Sequence, residues 1–390
     1  MRKKWIWVFT MVWLCCSGCG QGNAAEGENI PIAQTAEEQK AECIQAWMSQ
    51  MDTEEKIGQM LMIDFRQNTD GSDMTVLSEA AAETIRTNHL GGVILFAENL
   101  DTTEQTQQLI LDMQAAAELP LAIGMDEEGG MVSRLDKSRI PHMSIPNAAE
   151  LAGDPARAKV AGAEIGAVLA ELGINVDFAP VADINTNQEN PVIGERAYGT
   201  DAQTVAVMAE AFRTGLEENG VSAVAKHFPG HGDTATDSHD GMAVLDHDLQ
   251  RLREVEFVPF QTLIDAGIDW VMVGHITMPK VTGDNLPASL SKEAIDLLRQ
   301  ELGFSGIIVT DAMNMGAITQ YDTDGMAAVM AIQAGADVVL MPSDLQQTMS
   351  ALQQAVMEGE ITQQRLEESV YRILSWKYDC GMLEEPAAEY

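Results

Sequence analysis

The sequence predicts an α/β protein built as a single (β/α)8 TIM-type barrel, and three observations point there. Eight short apolar runs, at 59–65, 92–96, 121–125, 176–181, 222–225, 270–273, 306–309 and 338–341, alternate with longer amphipathic segments. Runs apolar on both faces fit strands buried on both sides, and their alternation with helices implies parallel pairing through crossovers. Polar residues collect at or just past the C-terminal ends of these runs: Asp64, Asp126, Asp183, Lys226 with His227, His275 and Asp311. A (β/α)8 barrel assembles its functional residues from several strand ends at that rim. An open dinucleotide-binding sheet would want G-x-G-x-x-G after the first strand, and the motif is absent.

The chain opens with the basic stretch Met1-Arg-Lys-Lys4, then an apolar run from Trp5 to Cys16 that is too short to span a bilayer. The run closes on Cys16-Ser-Gly-Cys19, similar to a bacterial lipoprotein processing site with Cys19 as the lipidated residue. Residues 1–19 are therefore read as a lipoprotein-type signal peptide, giving an extracytoplasmic product anchored by lipid or secreted. Residues 20–40 are polar and aperiodic, a flexible tether. Helical spacing begins near Ala41, with Ile44, Trp47, Met48 and Met51 on one face, and Asp52-Thr53-Glu54-Glu55 caps the next helix.

From there the strands alternate with predicted helices at 103–118, 156–172, 201–219, 249–266, 292–301, 325–334 and 363–374. The barrel is assigned to 41–380 and a tail to 381–390. No linker announces a second domain. Cys43 and Cys380 lie near the two ends of the folded region, so the spacing leaves open a bridge between them or, the preferred reading, two buried thiols.

Net charge is -37, from 60 acidic against 23 basic residues. Such a surface repels nucleic acid and anionic lipid, which excludes phosphate-backbone binding.

The stretch Ala223 to His239 is the chemically densest part of the chain. After a buried strand it holds Lys226, His227, His231, Asp233, Asp237 and His239 within seventeen residues. Three readings compete: a zinc site built from His and Asp, an acid/base loop in which Asp237 orients His239, and a solvated loop with capping aspartates. Ile307-Ile-Val-Thr-Asp311 delivers a carboxylate off a buried strand, either a nucleophile or a helix cap. Gly124-Met-Asp-Glu-Glu-Gly-Gly-Met-Val-Ser-Arg134 couples Asp126 to a glycine turn and Arg134, and Gly194-Glu-Arg-Ala-Tyr-Gly199 offers Arg196.

Taken together, Asp126-Glu-Glu-Gly-Gly130, Glu195-Arg-Ala-Tyr-Gly199, Lys226-His-Phe-Pro-Gly-His-Gly232, Asp237-Ser-His239 and Thr310-Asp-Ala-Met-Asn-Met315 resemble glycoside hydrolase family 3, in its bacterial β-N-acetylglucosaminidase (NagZ-type) subgroup. The resemblance runs from about Glu54 to Leu374. It implies a retaining hydrolase that removes terminal N-acetylglucosamine through a covalent glycosyl-enzyme. Asp311 matches the family's nucleophile, His239 the general acid/base and Asp237 its dyad partner. Asp126, Arg134, Arg196, Lys226 and His227 match positions that bind the sugar. No metal or other cofactor is expected. The expected partner is a small carbohydrate, either a muropeptide from cell-wall turnover or a chito-oligosaccharide, with membrane contact only through the lipid anchor and the chain a monomer. Two alternatives stand beside this: a phosphorylase of the same subgroup, and a lipid-anchored carbohydrate-binding protein without catalysis.

Overall fold

A computed structural model of the protein describes residues 35–236, 241–321, 323 and 325–384. The expected signal peptide with Cys19, residues 20–34 of the expected tether, and the dyad Asp237 and His239 lie outside the described residues. The end of the expected tether is helical: Thr35 caps a helix Ala36–Gln50 that starts before Ala41.

Eight strands form one parallel sheet: β1 (Leu61–Asp64), β2 (Gly92–Leu95), β3 (Ala122–Met125), β4 (Val176–Asp177), β5 (Ser222–Phe228), β6 (Trp270–Val273), β7 (Ile307–Thr310) and β8 (Val339–Leu340). Each pairs with its successor, β8 pairs with β1, and a parallel bridge between Val309 and Val338 joins β7 to β8. The Thr310 N–H donates to the Val338 carbonyl at 3.0 Å and the Leu340 N–H to Thr310 Oγ1 at 3.1 Å, so the barrel closes. Every residue of these eight strands except Asp64 is buried, which is why the strands read as continuous apolar runs rather than alternating ones.

All eight predicted runs contain a strand, and the departures have local causes. The fourth run leaves regular strand geometry at Phe178, two residues before Pro180, whose ring removes the backbone donor. It still follows the barrel wall, with Ala182 N–H donating to the Lys226 carbonyl at 2.6 Å. The predicted helix 249–266 is two helices, Leu249–Glu254 and Phe257–Asp265. Pro259 sits in the first turn of the second, where its missing N–H costs no helical bond. Asp52 does cap Thr53–Gln59: it accepts from Glu55 N–H at 2.9 Å, and Glu55 accepts from Asp52 N–H at 2.6 Å. Helices Glu79–Thr87 and Leu345–Glu358, unmarked by the sequence pattern, complete the outer ring. None of the helices described is long and apolar enough to cross a membrane. Cys43 and Cys380 do not form a disulfide with each other. Cys43 is buried as expected, but Cys380 is exposed, because it follows the end of the last helix.

Two neighbouring helices, Pro155–Leu172 and Ala202–Glu217, meet backbone to backbone. A Cβ at Gly215 would lie 2.0 Å from the Lys159 carbonyl oxygen, so only glycine fits there.

The N-terminal end of the β7–β8 seam is held by one buried carboxylate. Asp337 receives Arg299, Arg372 at 2.9 Å, Ser369 Oγ at 2.7 Å and Ile308 N–H at 3.0 Å, with Arg365 at 3.5 Å. Burial alone would raise the carboxyl's pKa, but the three guanidinium groups outweigh it and hold it below the ordinary carboxylate range. Asp337→Ala should cost about 3–5 kcal/mol of stability by leaving the arginines without their counter-charge, read as a lowered urea midpoint. Since the folded-state pKa is depressed, this carboxylate's contribution is present above the unfolded-state value and fades as pH falls through the folded one. Acid unfolding of Asp337→Asn should therefore be less steep than that of the parent.

Candidate active site

The C-terminal ends of the strands open into a cleft of about 780 Å³. Asp126, Arg134, Arg196, Lys226, His227 and Asp311, all proposed from sequence, line it. They come from the ends of β3, β5 and β7 and from the loop after β4, the convergence that the barrel expectation required.

Lys226 and His227 are consecutive, yet both reach the cleft, whereas neighbours on a regular strand face opposite ways. The register explains it. Ala225 pairs with Val271 but Phe228 with Val273, so β5 fits an extra residue between the two pairs and breaks its alternation there.

Lys226, buried to 1% exposure, is the centre of an ion cluster. Its Nζ lies 2.8 Å from Asp126 Oδ1 and 2.6 Å from Glu128 Oε1. Arg134 Nη2 reaches Asp126 Oδ2 at 3.2 Å, and Arg196 forks onto Glu128 through Nε (2.8 Å) and Nη2 (2.7 Å). Burial would lower the Lys226 ammonium, but Asp126 and Glu128 outweigh it and hold it above its ordinary value. Burial likewise opposes ionisation of both carboxylates. Lys226 with Arg134 nevertheless keeps Asp126 below its usual range, and Arg196 with Lys226 brings Glu128 down to about 2.

Behind this layer lies a second one. Glu127 turns away from the cleft and accepts from Arg134 N–H at 2.7 Å and Leu135 N–H at 3.1 Å, shaping the turn that carries Arg134. Its own N–H donates to Asp177 Oδ1 at 2.9 Å, and burial raises the Asp177 carboxyl well above the normal carboxylate range. Asp183, also fully buried, accepts from the N–H groups of His227 (3.2 Å) and His231 (2.6 Å) and bonds His227 Nδ1 at 2.7 Å. It thus sets the root of the loop that leads to Asp237 and His239. Gly232 sits in that root against the loop after β4, where a Cβ would meet the Ile184 carbonyl oxygen at 1.9 Å.

Asp311 follows β7 directly, its N–H donating to the Val273 carbonyl at 2.9 Å and one of its carboxylate oxygens accepting from Ala312 N–H at 2.8 Å. His275, one of the strand-end residues, does not line the cleft. It bonds Ser289 Oγ at 2.8 Å and the Ala312 carbonyl at 3.0 Å, fixing the backbone beside Asp311. Asp64 likewise works through another residue, holding Arg66 at 2.8 Å. Arg66 lines the cleft with its guanidinium 3.4 Å over the Phe96 ring.

The sequence reading missed Glu128 as a member of the site, along with Arg66, Phe96 and the position of His231 on the cleft wall. Glu128 was visible only as one of three consecutive acids, and nothing in the sequence told which of them faces the lumen. The arrangement sets fixed hydrogen-bond donors and acceptors beside a strand-end carboxylate in one cleft.

A model for the glycosyl hydrolase family 3 N-terminal domain matches residues 52–376. The chain is 35% identical over 366 residues to "Beta-hexosaminidase A" of Pseudoalteromonas piscicida, covering 84% of this chain and 61% of that protein. It is 36% identical over 333 residues to "Beta-hexosaminidase LpqI" of Mycobacterium tuberculosis, covering 83% and 82%. Its fold is similar to that of a glycoside hydrolase family 3 beta-N-acetylglucosaminidase from Paenibacillus sp., with a TM-score of 0.80 and 38% identity over 87% of this chain and 65% of that one. The chain thus spans under two thirds of two of these three relatives, and the shared part is the barrel with its cleft. By sequence over the whole barrel and by fold, the chain belongs to glycosyl hydrolase family 3.

Proposed function

We propose that the protein is a retaining exo-β-N-acetylglucosaminidase that releases terminal N-acetylglucosamine through a covalent glycosyl-enzyme. The observation that carries this reading is the shared cleft. Asp311 opens into the same space as the Lys226–Asp126–Glu128–Arg196 cluster, in a chain whose relatives bear the names beta-hexosaminidase and beta-N-acetylglucosaminidase.

In this reading the ion cluster grips the sugar hydroxyls. Asp126 and Glu128 accept from them, while Lys226, Arg134, Arg196 and His227 donate. Asp311 attacks the anomeric carbon as His239 passes a proton to the glycosidic oxygen, and the bond to the leaving group breaks. His239, now neutral, takes a proton from water, whose oxygen attacks the same carbon and frees Asp311. A histidine suits the role because its ordinary pKa lies near neutrality, and a carboxylate partner, the role given to Asp237, favours the protonated ring. We assign the substrate to cell-wall fragments, in keeping with a product exported by the residues 1–19 leader, anchored through Cys19 and acting as a monomer.

Asp311→Ala should lower turnover of an aryl β-N-acetylglucosaminide by on the order of 10³-fold or more. His239→Ala should lose activity steeply on substrates with poor leaving groups and far less on activated ones, and equal losses on both would contradict the acid role. Glu128→Gln should lower kcat/KM by about 10–100-fold while leaving the acid limb of the pH profile in place, because Glu128 is ionised down to about pH 2 and does not set that limb. Product analysis in phosphate buffer should yield the free sugar; a sugar 1-phosphate would identify phosphorolysis instead.

A further inference from the structure

We propose that Glu55, His89 and Glu118 form a binding site for a divalent transition cation of the zinc class on the N-terminal face of the barrel, opposite the cleft. The three come from separate connections: Glu55 from the helix before β1, His89 from the turn before β2, and Glu118 from the turn before β3. One ligand atom from each lies within 4.8 Å of the others, and among the described residues this is the one group of His, Cys, Asp or Glu so arranged.

The His89–Glu118 pair is close enough to attract yet too far apart to hydrogen-bond. His89 Nδ1 lies 3.6 Å from Glu118 Oε2, beyond hydrogen-bond reach. Zinc bonds of about 2.0–2.2 Å to nitrogen and oxygen place neighbouring tetrahedral ligands roughly 3.3–3.6 Å apart, so the gap is the right size for an intervening ion. The group also lines a cavity of about 50 Å³ beside Trp47 and Gln50, room for the ion and a water as a further ligand.

Two of the ligands are held in place before any ion arrives. Glu55 is pinned by its acceptance from Asp52 N–H at 2.6 Å, and the His89 carbonyl accepts from the buried Gln59 amide at 2.8 Å. Glu118, largely exposed, is free to close on the ion. One imidazole with two carboxylates suits zinc better than calcium or magnesium, which prefer oxygen alone. A net charge of -37 raises the cation concentration near the surface. Bound there, the ion ties together the entries to the first three strands and stabilises the fold by mass action. It takes no part in the chemistry of the cleft.

The test is calorimetric titration of the chelator-treated protein with zinc chloride, paired with thermal melts. The parent should bind zinc at this site and melt higher with it, while His89→Ala and the exposed Glu118→Gln should each weaken that binding at least about tenfold and lose the shift. Calcium should bind more weakly than zinc. Equal isotherms for the parent and both variants, no binding up to millimolar zinc, or a preference for calcium would each overturn the assignment. Heat and melting temperature are read rather than turnover, so the outcome is independent of the proposed glycosidase activity.

Discussion

The cleft end of the barrel depends on the pairing of one buried lysine with two carboxylates. Taking an ion out of water costs several kcal/mol, and Lys226, Asp126 and Glu128 are tolerated near the barrel axis only because each neutralises another. The lysine arrives on β5, and both carboxylates follow β3. The cluster is complete only when both strand ends stand at their native separation, so the same contacts that make the charges bearable set the width of the cleft. Arg134, from the same loop after β3, and Arg196, from the loop after β4, occupy the remaining carboxylate oxygens. A ligand hydroxyl entering this space meets groups already oriented, which lowers the ordering cost of binding.

The opposite end of the barrel uses charge differently. Asp337 gathers three arginines at the seam between the last two strands, where no cleft lining residue is involved. Both clusters keep their carboxylates ionised against burial, but one faces a space open to ligand and the other faces packed helix. That division follows the general pattern of such barrels, with stability invested at the N-terminal face and chemistry at the C-terminal one.

The barrel was legible in the sequence because its strands are enclosed on both faces, which writes each as an unbroken apolar run such as Gly92–Leu95 or Ile307–Thr310. Boundaries were less legible where proline intervenes, at Pro180 and Pro259, since hydropathy does not register a missing N–H. Six proposed cleft residues do meet in one place. Glu128 was not picked out because facing direction after β3 is decided by a turn, and Arg66 because its position over Phe96 is a contact between the loops after β1 and β2. The adjacency of Lys226 and His227 in the cleft would even have argued against a strand, as the extra residue in β5 has no signature in composition. The acid/base assignment rests on the sequence alone, since Asp237 and His239 lie outside the described residues.

Gly232 carries a consequence for anyone who would recombine this scaffold. The loop after β5 touches the loop after β4 with clearance for a hydrogen atom and nothing larger. A chimera that imports a donor's loop after β5 must keep glycine at this position or bring the facing segment around Ile184 with it, or the graft will collide with the backbone it lands on. A library that shuffles the two loops independently should therefore fix glycine at position 232 and vary the rest.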